Sequence, residues 1–257
     1  MSTAPAIDPA LLLSAYAQGL FPMADGADDP SVHWVEPRIR AILPLDGFHL
    51  SRSLKKALVA DRFRVTTDRA FADMVALCAE EAADRPSTWI NGIIRASYAA
   101  LFARGHAHSV EVWDGDALVG GLYGVTLGRA FFGESMVSRR RDASKIALAH
   151  LVARLRLGGW RLLDCQFITP HLASLGAVEI TQRAYLQRLY SALGAGEGDG
   201  AADGDGADAA PPSPPFVVGD WSALDTAGAA FVAAAGAARA TGSPPGKLIA
   251  QLLTNTS

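Results

Sequence analysis

Cysteine is scarce. Cys78 and Cys165 are the only two in 257 residues, too few for a disulfide framework, and no Cys/His group stands at zinc spacing. Long apolar runs are missing as well. None approaches the roughly 20 residues that span a bilayer, and the first, Leu11–Leu13, is too short for the core of an export signal. An excess of positive charge is also lacking: 23 Lys and Arg against 26 Asp and Glu give a formal net charge of −3. That balance excludes a protein that coats nucleic acid over its whole surface. No Gly-x-Gly-x-x-Gly or Walker phosphate loop occurs. With few cysteines and no export signal, the expected compartment is a reducing cytoplasm. What the chain does have is apolar residues, half of its length. These are ample for the core of one large domain or two small ones.

Charge is unevenly spread. Residues 1–193 hold 21 basic and 19 acidic residues, net +2, whereas residues 194–257 hold 2 and 7, net −5. Within the first part, residues 38–69 carry eight basic residues, among them Arg52, Lys55 and Lys56, against three acidic ones. A second cluster is Arg139, Arg140 and Arg141 with Lys145. Each such charge reads alone as a solvated helix face; together they point to a local anion-binding surface. From Gly194 to Pro215 the chain is Gly, Ala, Asp and Pro with one Glu and one Ser, and no aliphatic residue larger than Ala. This composition predicts a disordered acidic linker. The Ala-rich tail, 216–257, ends in Gly246–Leu253, which reads as a short amphipathic helix, either docked or frayed.

The remainder reads as mixed α+β. Asp8-Pro9 opens a helix that Gly19 stops, and helical spacing runs over Ala70–Ala83 and Ile93–Arg104. The period then changes to two over Ser109–Trp113, Leu118–Thr126 and Arg129–Phe132, an antiparallel meander. A helix over Ala143–Leu157, a strand over Arg161–Ile168 and a helix capped by Thr181 follow. The expected fold is α+β, a sheet with covering helices, followed by the linker (194–215) and the tail (216–257).

The strand Arg161–Ile168 carries the strongest chemical signal. Asp164 and Gln166, two apart, share one face, while Leu163, Cys165 and Phe167 share the other. A carboxylate and an amide inside an apolar strand are either bonded to neighbouring loop amides or used. Phe131-Phe132-Gly133-Glu134-Ser135 reads as a pocket wall at a strand end with Glu134 at its rim, or with Glu134 capping the next turn. Ser135 is no nucleophile-elbow serine, because Val137 stands where the closing Gly is needed. His106 and His108, two apart with no acidic partner nearby, read as loop or strand-start residues rather than metal ligands. Trp89 offers either a stacking face for a base or core packing. The meander-helix-strand order resembles the GNAT acyltransferases. Their coenzyme A loop is nonetheless missing, since Arg156-Leu157-Gly158-Gly159-Trp160-Arg161 ends in Arg and follows the helix.

Taken in order, several stretches match one family: Ala15-Tyr16-Ala17-Gln18-Gly19-Leu20-Phe21-Pro22, His49-Leu50-Ser51-Arg52-Ser53, Thr88-Trp89-Ile90 and Gly105–Trp113. Leu118–Val125, Gly133-Glu134-Ser135-Met136, Ala143-Ser144-Lys145, Asp164-Cys165-Gln166 and Ala173–Ala177 continue the series. The chain resembles the bacterial leucyl/phenylalanyl-tRNA–protein transferases. The resemblance implies a small N-terminal α/β domain (1–69) followed by a GNAT-like catalytic domain (70–193) with a mixed sheet and covering helices. It also implies transfer of Leu, Phe or, less readily, Met from aminoacyl-tRNA to proteins that begin with Arg or Lys, as part of N-degron degradation. No metal or other cofactor is implied, because an aminoacyl ester is already activated; the enzyme positions an amine and helps it lose a proton. By the same resemblance, Gln166, held by Asp164, contacts the attacking amine, with Glu134 in the same site as a partner for the cationic acceptor. Leu122, Phe131, Leu151 and Leu163 are implied to line an apolar side-chain pocket. Leu163 alternates away from Asp164 in an ideal strand, so a bulge or twist is required there. Arg52, Lys55, Lys56, Arg139 and Arg140 become candidates for the acceptor-stem phosphates, with Trp89 as a stacking face. DNA, a membrane and a second subunit are not expected as partners. Two other readings remain at this point: a coenzyme A-dependent acetyltransferase on the same scaffold, and a catalytically silent tRNA-binding module.

Overall fold

Helix α1 (Pro9–Ala17) begins where Asp8 accepts the Ala10 amide at 2.9 Å and Pro9 occupies the first turn. Gly19, at φ +82°, turns the chain out of it. A computed structural model describes residues 5–80, 87–194, 216–234 and 244–254. After α1 come β1 (Phe21–Met23), β2 (His33–Val35), β3 (Ile39–Ile42), α2 (Arg52–Ala60), β4 (Arg64–Thr67), α3 (Phe71–Ala79) and α4 (Gly92–Ala103). The meander is β5 (Ala107–Asp114), β6 (Ala117–Leu127) and β7 (Ala130–Ser138). Then follow α5 (Ala143–Leu157), β8 (Leu162–Gln166), α6 (Pro170–Ser174), β9 (Val178–Thr181), α7 (Gln182–Ala192), α8 (Ala223–Ala234) and α9 (Gly246–Thr254).

Strands β1 and β2 form a separate two-stranded pair, and the other seven form one sheet in the order β4-β5-β6-β7-β8-β3-β9. Every pairing in this sheet is antiparallel except β7 with β8, which α5 connects as a crossover helix. The architecture is thus mixed α+β, with strands from both sides of residue 69 in the same sheet. Apolar side chains alternate between its faces. Leu122, Phe131 and Leu163 join α2, α5, α8 and α9 in one core; Tyr123, Phe132 and Leu162 join α1, α3, α4 and α7 in the other. Because α5 lies under both the sheet and the tail, it is buried nearly from end to end.

The helix expected over Ala70–Ala83 is α3, with Ala70 preceding its first turn; residues 81–86 lie outside the described residues. Of the expected linker, residues 195–215 also lie outside them. The tail docks. Leu248, Ile249 and Leu253 of α9 are buried, and Gly246 sits so close to α2 that a Cβ there would meet the Leu58 carbonyl oxygen at 2.0 Å. Arg154 of α5, 2% exposed, holds Asp225 of α8 through two 2.7 Å bonds and also bonds the Trp221 carbonyl.

Candidate active site

Two bulges make the site. In β7, Tyr123 pairs with Ser135 and Gly124 with Gly133, so Glu134 is an extra residue. In β8, Ala41 pairs with Gln166 and Ile42 with Asp164, so Cys165 is extra. The parallel pairing of β7 with β8 stops at Phe132 and Asp164, although β7 continues to Ser138. Gly124, opposite the first bulge, leaves room for the Phe131 ring, which an added Cβ would meet at 2.4 Å. Period-two reading ends the strand at Phe132 because the bulge breaks alternation just beyond it. Glu134 is therefore inside a strand and 6% exposed, not at a strand-end rim.

Asp164, fully buried, accepts from Arg40 Nε (2.9 and 3.1 Å), Arg40 Nη2 (2.5 Å), the Tyr185 hydroxyl (2.8 Å) and the Gln166 amide (2.8 Å). Arg40 lies between the rings of Phe21 and Tyr185, at 4.6 and 4.5 Å, and donates to the Gly19 carbonyl at 3.0 Å. Every acceptor site on the carboxylate is thereby engaged. Gln166 has φ +61°, a left-handed conformation costly for a residue with a Cβ. The bond from its amide to Asp164 holds it there, and its side chain donates to Glu134 at 3.0 Å. The turn follows Leu163 and Asp164, which keep to opposite faces of β8, so the expected twist between them is not found; the turn does correct the expected place of Phe167. Instead of joining Leu163 and Cys165, Phe167 is 47% exposed, edge-on to the Phe21 ring at 5.8 Å.

Glu134 also accepts from the Tyr16 hydroxyl at 2.6 Å and the Tyr98 hydroxyl at 2.7 Å. Burial pushes its carboxyl up to about 7, against the downward pull of the bonds from Tyr16, Tyr98 and Gln166, with the Asp164 charge adding to the rise. Burial and the Glu134 charge push both tyrosine hydroxyls well above their ordinary range.

On the α5 side of the gap lies a cavity of about 90 Å³, lined by Leu122, Met136, Leu148, Leu151, Leu163 and Leu172 with Glu134 and Cys165 at its edge. It adjoins a groove of about 780 Å³ that shares Glu134, Ser135, Met136, Cys165 and Leu172 and continues along Gln166, Phe167, Arg139, Ser144 and His171. Phe131, expected on the cavity wall, packs instead in the core, where Trp221 of the tail stacks over it at 5.8 Å. Burial, then the nearby Lys145 charge, keep the His171 imidazole below its ordinary range.

Arg52, Lys55 and Lys56 lie exposed on α2, opposite buried Leu54 and Leu58. Arg139 lines the groove and pairs with Glu80. Asp114 joins the two basic clusters, facing Arg62 at 3.2 Å and Arg140 at 3.8 Å. Trp89 is half-buried just before α4, against the core that contains Tyr16 and Tyr98. Arg40, Tyr16, Tyr98 and Tyr185 were not singled out for the site. A lone Arg between Ile39 and Ala41 in a four-residue strand was the available signal for the first. Among the described residues, no group of His, Cys, Asp and Glu is placed to hold a metal ion, and no helix is long and apolar enough to cross a membrane.

Known proteins match this chain in sequence. The family profile described as leucyl/phenylalanyl-tRNA protein transferase matches residues 42–190, and that of the family's N-terminal domain matches residues 6–38. A leucyl/phenylalanyl-tRNA–protein transferase of Rhizorhabdus wittichii is 62% identical over 77% of this chain and 80% of its own length. One from Zymomonas mobilis is 62% identical over 73% and 70%. One from Novosphingobium aromaticivorans is 53% identical over 98% and 97%, a match that takes in the tail. The protein is thus an enzyme of the aminoacyltransferase class. It belongs to the leucyl/phenylalanyl-tRNA protein transferase family.

Proposed function

We propose that the protein transfers Leu, Phe and, less readily, Met from aminoacyl-tRNA to the N-terminal α-amine of proteins beginning with Arg or Lys. The new peptide bond marks them for N-degron degradation in the cytoplasm. The observation that carries this reading is the junction, at Glu134, of an apolar cavity with a wider groove that Gln166 lines. The aminoacyl side chain enters the cavity, and its leucines reject charged side chains by desolvation while separating Leu, Phe and Met only weakly. The ester carbonyl then lies at the cavity mouth, where Gln166 orients the acceptor amine and Glu134 faces its positive charge. The bond broken is already activated, so orientation supplies most of the acceleration. Asp164 positions Gln166 rather than meeting substrate, in keeping with its full set of donors. The α2 cluster, Arg139 and Arg140 face the acceptor-stem phosphates, and Trp89 offers a stacking surface. A few clustered cations suffice for a short acceptor end, so the overall charge of −3 is no obstacle. A GNAT-like unit over 70–193, whose sheet β3 and β4 from before residue 69 complete, and action as a monomer belong to the same reading.

The test is mass spectrometry of peptides that differ only in their first residue, incubated with Leu-tRNA. Peptides beginning with Arg or Lys gain one leucine at their N-terminus, and one beginning with Ala does not. Equal modification of all three sinks the acceptor assignment.

A further inference from the structure

Three hydroxyl and carboxyl groups meet in a closed triangle: Tyr16 to Glu134 Oε1 at 2.6 Å, Tyr98 to Glu134 Oε2 at 2.7 Å, and Tyr16 to Tyr98 at 3.0 Å. Three contacts need three hydrogens. When Glu134 is ionised, both phenolic hydrogens point to the carboxylate, so the contact between the two phenol oxygens has none. When Glu134 is protonated, its Oε1–H donates to Tyr16, Tyr16 donates to Tyr98, and Tyr98 donates to Oε2. Each contact then holds one hydrogen. The triangle is thus one proton short when charged and complete when neutral. Both tyrosines are fully buried, away from bulk water. Glu134 borders both the cavity and the groove, and is the one member of the triangle through which a substrate amine can deliver a proton.

We propose that Glu134, backed by Tyr16 and Tyr98, is the base that takes the proton from the acceptor α-ammonium. This rests on the transfer reading above. The ammonium gives one proton to Glu134 and becomes an amine. Its lone pair forms the N–C bond at the ester carbonyl, and the C–O bond to the terminal ribose breaks. The second proton of the attacking nitrogen goes to the departing ribose oxygen. One proton per turnover then leaves Glu134 for solvent. Gln166, which donates to Oε2 at 3.0 Å in either state, keeps the carboxyl turned toward the groove.

The groups facing Glu134 are Tyr16 from α1, Tyr98 from α4, and Gln166 and Asp164 from β8. Arg40 lies beyond Asp164, and Tyr123 of β6 stands edge-on to Tyr98 at 5.5 Å. Burial favours the protonated carboxyl, and the two hydroxyls oppose that, because their bonds to the anion are charge-assisted and outweigh the one contact left without a hydrogen. Replacing either Tyr with Phe therefore raises the pH at which Glu134 gives up its proton. A base acts only when ionised, so the acidic limb of the rate moves up with it.

Infrared difference spectroscopy of the full-length protein across about pH 5 to 9 reads the C=O stretch of a protonated buried carboxyl, assigned through its loss in Glu134→Gln. Single-turnover transfer from Leu-tRNA to an Arg-initiated peptide is followed over the same range. The expected midpoint is about 7 in the native protein, higher by about one pH unit in Tyr16→Phe and in Tyr98→Phe. The acidic limb of the rate shifts equally. The peptide's own amine contributes the same limb in every variant, so a difference between variants reports Glu134. A carboxyl ionised down to the ordinary Glu range overturns the proposal, as does a rate limb that stays put while the carboxyl midpoint moves. Absence of transfer by the native protein overturns the transfer reading and this step together. The infrared titration of the triangle is read independently of transfer.

Discussion

Replacing Arg40 with Met leaves the Asp164 carboxylate buried with two donors, Tyr185 and the Gln166 amide, in place of the guanidinium that now saturates it. The two side chains are 1% and 0% exposed, and removing one partner of such a pair costs about 3–5 kcal/mol. Replacing both, as Arg40→Met with Asp164→Leu, removes the orphaned charge and returns most of that stability. Turnover responds differently. The bond from the Gln166 amide to a charged acceptor is worth about 1.5–3 kcal/mol, and it offsets the strain of φ +61°. The double variant lacks that bond, so kcat falls roughly 10- to 100-fold, while the KM for Leu-tRNA stays within about twofold because the cavity and the basic surface are unchanged. Urea unfolding measures the first effect, and steady-state transfer of radiolabelled leucine measures the second. A double variant that regains stability and also keeps native kcat refutes the reasoning, since Asp164 is then structural only.

Asp164→Ala is expected to reduce turnover far more than tRNA affinity in filter binding; equal losses contradict its placement behind Gln166. Glu134 has a carboxyl raised from 4.5 to about 7, so its stabilising effect is full below about pH 4.5 and is lost as pH rises through 7. Urea unfolding of the native protein should lose on the order of 3 kcal/mol across that window relative to Glu134→Gln. His150, which burial and Arg154 push down to about 3, is common to both proteins and cancels in the difference. Asp114→Asn frees Arg62 and Arg140 for phosphate, so tRNA binding tightens and its salt dependence steepens; unchanged binding removes that surface from the tRNA interface. Gly246→Ala forces a Cβ against the Leu58 carbonyl, and hydrogen exchange across α2 should quicken as α9 lifts; unaltered exchange means α9 does not brace α2.

Elements bounded by local chemistry were legible in the sequence: α1 from Asp8-Pro9 and Gly19, the meander from its alternation, and α5 from its apolar spacing and Gly158. β7 was read too short because alternation fails at Glu134, and a bulge is a property of two strands rather than one. The site was legible only in part, for the same reason. Asp164, Gln166 and Glu134 drew notice as polar residues within apolar strands. Their partners come from distant places: Arg40 is 124 residues from Asp164, and Tyr16 is 118 from Glu134. In a window of local sequence Arg40 is one more member of a basic cluster. It becomes a buried ion pair only once β3 pairs with β8. Phe131 was assigned to the cavity wall because alternation gives a face but not a depth, and the tail supplies the Trp221 that covers it.

The most direct test follows radiolabelled leucine from Leu-tRNA to the α-amine of an Arg-initiated protein, with and without ribonuclease pretreatment of the tRNA. Label recovered as an N-terminal leucine, and abolished by ribonuclease, is the predicted result. RNA that binds the protein while no label reaches the acceptor at any enzyme concentration would contradict it, and would leave a binding module in place of a transferase.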